Sequence, residues 1–261
     1  MKREEQVGVG ALVQAYLTFV FARPHHWLQA IAPAVLFCLL ANFAADAMFG
    51  QQRVVRISIY LTCLALMAPS MQRAAVDWRA NSAVRWISIR RFDTTTFVRT
   101  FMAGLICGLG VIGIITLVVL TSALAGLGVL ALIILIWLAA ALCLLSMMPL
   151  MAIASTSGVW PALKLGVRLG LRAPLTLLVM APIILFPAFM VLLIAFALFQ
   201  LALFGLAADT GWLGRLLMTQ GVTPIWPVVI AGLFVAAAAM LFERLKEITY
   251  GQDYRGLEEI F

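Results

Sequence analysis

Residues 101–152 read FMAGLICGLGVIGIITLVVLTSALAGLGVLALIILIWLAAALCLLSMMPLMA, 52 residues without one Asp, Glu, Lys, Arg or His. A helix crossing the roughly 30 Å hydrocarbon core of a bilayer needs about 20 apolar residues. The run is therefore too long for one crossing and fits two, 101–124 and 127–152, with Ala125 and Gly126 as little more than a turn between them. Backbone N–H and C=O groups find no water inside lipid, so each crossing must be a helix that bonds to itself. Moving outward in both directions, the same test finds four more spans, at about 27–48, 54–72, 174–204 and 224–242. With 64% hydrophobic and 11% charged residues, and a mean hydropathy of +1.09, the composition lies outside the soluble range. Six spans in 261 residues leave no room for a second, soluble catalytic domain. The expected fold is an all-α polytopic membrane protein forming one integral membrane domain.

The net charge of +7 invites a nucleic-acid reading, and the placement of the charges rejects it. Of the 18 Lys and Arg residues, 15 fall in the N-terminal segment, the second and fourth connections and the C-terminal tail. Only Arg53, Arg56 and Arg215 lie in the other connections. Basic residues concentrate on cytoplasmic loops facing anionic lipid, so both termini are expected in the cytoplasm of a bacterial inner membrane. The segment Met1 to Gln6 carries Lys2, Arg3, Glu4 and Glu5 ahead of an interrupted pattern, which is not the form of a signal peptide.

Two shorter segments are amphipathic. Val9, Leu12, Val13, Tyr16, Leu17 and Val20 recur at helical spacing before Arg23 and Pro24. Val159, Trp160, Leu163, Val167 and Leu171 do the same, with Lys164, Arg168 and Arg172 between them. Both are expected to lie flat at the membrane surface. A third helix start is expected near Asp93, whose side chain can cap Thr94 to Phe97.

Arg23, Arg99 and Arg172 each close such a stretch and open an odd-numbered span, at spacings of 76 and 73 residues. This suggests three pseudo-repeats of interfacial helix plus transmembrane hairpin, at about 7–75, 76–152 and 158–245, with a cytoplasmic tail over 243–261. Ala32-Pro33 and Leu36-Phe37 align with Ala181-Pro182 and Leu185-Phe186 at one offset, and Met67-Ala-Pro69-Ser-Met71 echoes Met147-Met148-Pro149-Leu-Met151. On the Arg23-Pro24 entry, the two methionine-proline turns and the Trp160 to Arg172 helix, nearly the whole chain resembles the membrane domain that precedes the catalytic domain of some bacterial glycerophosphodiester phosphodiesterases. It equally resembles a wider group of six-pass bacterial proteins with the same plan. The hydrolase domain of the fused enzymes has no counterpart here. What the resemblance implies is a fold and an inner-membrane location, not a reaction.

Residues that might carry chemistry are few. His25 and His26, the only histidines, are adjacent, and neighbours on a helix point about 100° apart, which does not suit the two axial positions of one haem. They read as an interfacial cluster with polar tips in the head groups, or as contacts for a lipid phosphate or a quinone. Asp46 lies near the outer edge of the first span within reach of Arg53 and Arg56, a structural ion pair. Pro33, Pro69, Pro149, Pro182, Pro187 and Pro227 lie in or near spans, where an interior proline frees a carbonyl; they shape packing or frame a cavity. Gly104 and Gly108 have the GxxxG spacing that allows close helix contact, within the bundle or with another subunit. Cys38, Cys63, Cys107 and Cys143 read as small buried hydrophobes, and mid-span Trp137 has no evident role.

No P-loop, HExxH, GxSxG or plausible carboxylate pair is present. The expected function is that of a non-enzymatic accessory or scaffolding subunit, calling for no cofactor or metal and partnered by other membrane subunits or by copies of itself. The alternative is a carrier or binder of a lipid or small amphiphile, held between proline-interrupted spans. Arg23, His25, His26, Lys164, Arg168 and Arg172 are then the candidate contacts for an anionic head group.

Overall fold

The computed structural model describes residues 9–22, 24–49, 53–79, 94–125, 129–153, 156, 158–206 and 225–250. Among them the chain is helical throughout, with no strand. Helix α1 (Val9–Leu17) runs into a π-helical turn, Thr18–Ala22, and α2 follows over Pro24–Phe49. Next come α3 (Arg53–Arg79), α4 (Thr94–Ala125), α5 (Val129–Ala152), α6 (Val159–Arg172), α7 (Pro174–Leu206) and α8 (Ile225–Tyr250). Six of these, α2, α3, α4, α5, α7 and α8, are long and apolar enough to cross a membrane. The protein is a multi-pass membrane protein.

Helices in lipid gain nothing from hiding apolar surface that lipid already solvates, so they associate through close van der Waals packing and interhelical hydrogen bonds, favoured where side chains are small. That rule picks out the centre. In α8, 61% of the span is buried, against 22 to 39% in the other five. Its stretch Val235 to Ala239 has no exposed surface, and α8 packs on α1, α2, α3, α5, α6 and α7. The small residues of Val-Ala-Ala-Ala-Ala let neighbouring helices approach its backbone closely. In contrast, α4 is exposed on nearly every side from Leu109 to Thr121.

The two short helices, α1 and α6, are packed against the bundle, and α1 lies deeper than a flat surface placement. Tyr16 and Phe19 are fully buried, and the Tyr16 hydroxyl donates to the Leu233 carbonyl at 3.5 Å. Leu233 lies ten residues before Glu243, about 15 Å along α8 at 1.5 Å per residue. Thus α1 is wedged into the bundle, because its bulky aromatic side finds protein there. Helix α6 turns Ala162, Leu165, Gly166, Leu169 and Gly170 inward and packs on the last turns of α5, at Leu145 to Pro149. A Cβ on Gly166 would stand 2.5 Å from Pro149 Cα, a separation only glycine permits. Helix α4 starts at Thr94 and continues without a break through the third span; Asp93, its expected cap, lies outside the described residues.

The sixth span also outruns its expected end. Helix α8 continues through Tyr250, and Glu243, Leu245 and Lys246 are buried. Gln72 Nε2 donates to Glu243 Oε1 at 3.1 Å. Gln72 and Glu243 each lie eighteen residues after the start of their spans, Val54 and Ile225, so α3 and α8 run parallel and in register. The end of the bundle that holds this pair is called the basic end below, and the other the opposite end.

Candidate functional site

Proline dictates the local structure around an opening on the side of the bundle. Pro24 has no N–H, so the carbonyl of Val20, four residues earlier, lacks its usual helical donor. The indole Nε1 of Trp27 donates to that carbonyl at 3.0 Å. Pro182, inside α7, deprives Leu178 in the same way, and there Trp137 Nε1 of α5 donates to the Leu178 carbonyl at 2.5 Å. An unbonded carbonyl in a dry interior is costly. The two tryptophans make the proline positions tolerable, which gives mid-span Trp137 the role its sequence position did not reveal.

Between these two reinforced points lies an apolar groove of about 690 Å³. Leu17 of α1 with Thr18, Phe21 and Ala22 of the π-helical turn form one wall, and Pro182, Ile183 and Phe186 of α7 the other. Phe21 is 57% and Phe186 60% exposed, so the groove opens sideways, toward lipid. π-helical turns recur at functional sites. Here the turn places Phe19 and Val20 in the core while Phe21 and Ala22 face the groove.

A second cavity, about 270 Å³, sits inside the bundle between α3, α4, α5 and α8. Its lining includes Tyr60, Leu61, Cys107, Gly108, Met147 and Ala231. Gly104 and Gly108 face inward here, with Leu61 of α3 and Leu150 of α5 against them. Their GxxxG spacing serves contact within the bundle, not contact with another subunit. Gly166 and Gly170 in α6 share the spacing and fit more tightly, against Pro149 and Leu145; they are the pair that sequence reasoning passed over.

The candidate head-group contacts divide between elements. Arg23 lies outside the described residues. In the first turn of α2, His25 is exposed and His26 buried, with ring centroids 4.2 Å apart. Lys164, Arg168 and Arg172 are exposed together on α6, where Lys164 Nζ stands 5.7 Å from the ring centroid of the outward-facing Trp160. At the opposite end, Arg56 Nη2 lies 3.4 Å from Asp46 Oδ1, a partly exposed pair of modest worth. Pro33, Pro69 and Pro149 stand inside α2, α3 and α5, and those helices continue through them.

Buried polar groups hold helices together. All four cysteines are buried. Cys63 Sγ donates to the Ala34 carbonyl at 3.4 Å, joining α3 to α2, while Asn42 Nδ2 donates to the Cys38 carbonyl at 2.8 Å. Arg244 and Glu247 form an ion pair at 3.0 Å on the outer side of α8. Among the described residues, no three His, Cys, Asp or Glu side chains gather as a metal-binding group.

No protein-family model, curated protein or solved structure matches the chain.

Proposed function

We propose that this protein binds a lipid or small amphiphile within the membrane and carries out no covalent chemistry. One observation carries the reading: the sideways-opening apolar groove between the entry turn and proline-interrupted α7. Its volume falls within the roughly 300–1,000 Å³ of small-molecule sites. Its opening faces the phase in which an amphiphile is dissolved. The proposed setting is a bacterial inner membrane with both termini in the cytoplasm, supported by the asymmetry of 15 basic residues against three and by the resemblance to six-pass bacterial membrane domains. The basic end of the bundle is then cytoplasmic.

Native mass spectrometry of the protein released from mild detergent tests this reading. One lipid-sized molecule should stay bound to the wild-type protein and be absent from Ala22→Trp, whose indole fills the groove. A wild-type protein that sheds every lipid under conditions that keep it folded would overturn the proposal.

A second reading, an accessory or scaffolding subunit, draws support from α4. Gly110 and Gly113 meet nothing within 4 Å of where a Cβ would stand, and small residues on a free helix face admit close approach by a partner helix. A stoichiometric membrane partner or a second copy should then co-purify, and Gly113→Leu should release it.

A further inference from the structure

We infer that the occupant of the groove is an anionic phospholipid of the bilayer, taken from the leaflet at which α7 begins, with its phosphate at Arg172 and Arg168 and one acyl chain lying along α7. This rests on the amphiphile-binding reading and adds the class of ligand. Leu175, Val179, Pro182 and Phe186 are spaced four, three and four residues apart, which places them on one face of α7. All four are exposed, Leu175 at 75% and Phe186 at 60%. The stripe ends in the groove, which Pro182 and Phe186 line. It starts beside the last residue of α6, Arg172, whose side chain is exposed one turn after the equally exposed Arg168.

The lengths agree with this placement. Pro182 to Phe186 lie eight to twelve residues after Pro174, where α7 begins beside Arg172, or about 12–18 Å at 1.5 Å per residue. One leaflet of hydrocarbon is roughly 15 Å deep. A phosphate held at Arg172 therefore delivers the far part of an acyl chain to the groove. Arginine suits that phosphate, because its planar fork bonds two oxygens at once. Lys164 is set apart from the pair by its contact with Trp160.

The charges also predict selectivity. Each basic residue near the surface favours an anionic lipid by roughly five-fold, so Arg168 and Arg172 together should favour phosphatidylglycerol over phosphatidylcholine at least ten-fold. The test places photoreactive benzoylphenylalanine at Phe186, and separately at Leu117, a 64% exposed position on α4 that samples ordinary boundary lipid. The full-length protein is reconstituted with equal amounts of the two lipids, and the adducts are weighed. At position 186, adducts should exceed those at 117 and favour phosphatidylglycerol; in the Arg168→Gln/Arg172→Gln variant that preference should fall to the value at 117. Adduct yield at 117 reports correct insertion of the variant independently. Excess adducts at 186 without a phosphatidylglycerol preference would overturn the head-group assignment while leaving amphiphile binding intact. Adducts at 186 no more abundant than at 117 would overturn both.

Discussion

Trp137 shows how a single side chain can repair what another residue breaks. Its indole donates to the Leu178 carbonyl, the acceptor left without an amide donor by Pro182. Losing such a bond where lipid offers no replacement donor costs about 1–3 kcal/mol. Trp137→Phe should therefore lower stability in detergent by about that much, measured by thermal or denaturant unfolding. In a Pro182→Ala background, where residue 182 supplies an N–H again, the same change should cost less than half as much. Equal losses in both backgrounds would mean that the ring acts by packing alone. Nothing near Trp137 in sequence announces this, because its partner lies 41 residues away. The prolines were legible as sources of free carbonyls; which side chain answers each depends on helix register across the bundle. Asp46 with Arg56 was legible for the opposite reason: the two flank a short connection, so any hairpin brings them near.

At the scale of elements, α6 separates pattern from placement. Its alternation of apolar and cationic residues marks it as amphipathic, yet the closest approach to α5 is made by two residues without side chains, Gly166 and Gly170. Gly166→Ala should destabilise the protein by about 1–3 kcal/mol, since the new methyl meets the backbone of Pro149, which cannot yield. Gly113→Ala, on open α4 surface, should be neutral or stabilising by up to about 1 kcal/mol. Paired unfolding curves for the two variants check this contrast, and equal effects would show that helix propensity outweighs contact. Hydrophobic spacing in α1 was also visible in the sequence. Its insertion beside Leu233 was not, because a helix periodic in apolar residues suits a lipid surface and a protein groove equally well.

For the whole molecule, the proposed orientation puts both termini in the cytoplasm. A green fluorescent protein fused after Phe261 should fluoresce, and alkaline phosphatase inserted in the connection between α2 and α3 should be active. The reverse pattern would invert the orientation and move the proposed phospholipid site to the outer leaflet. The number, order and approximate limits of the spans were readable from residue types alone, because the bilayer imposes one length and one composition on every crossing and tolerates little else. So were the free carbonyls, the Asp46–Arg56 pair and the exposed cations of α6. The central place of α8, the wedging of α1, the tryptophan donors and the lateral groove were settled only by the folded bundle. Each depends on which helices become neighbours and at what rotation, and lipid, being as apolar as the helices themselves, leaves that choice to shape and to hydrogen bonds: to where a glycine admits a backbone, and where a proline leaves a carbonyl for a neighbour's indole.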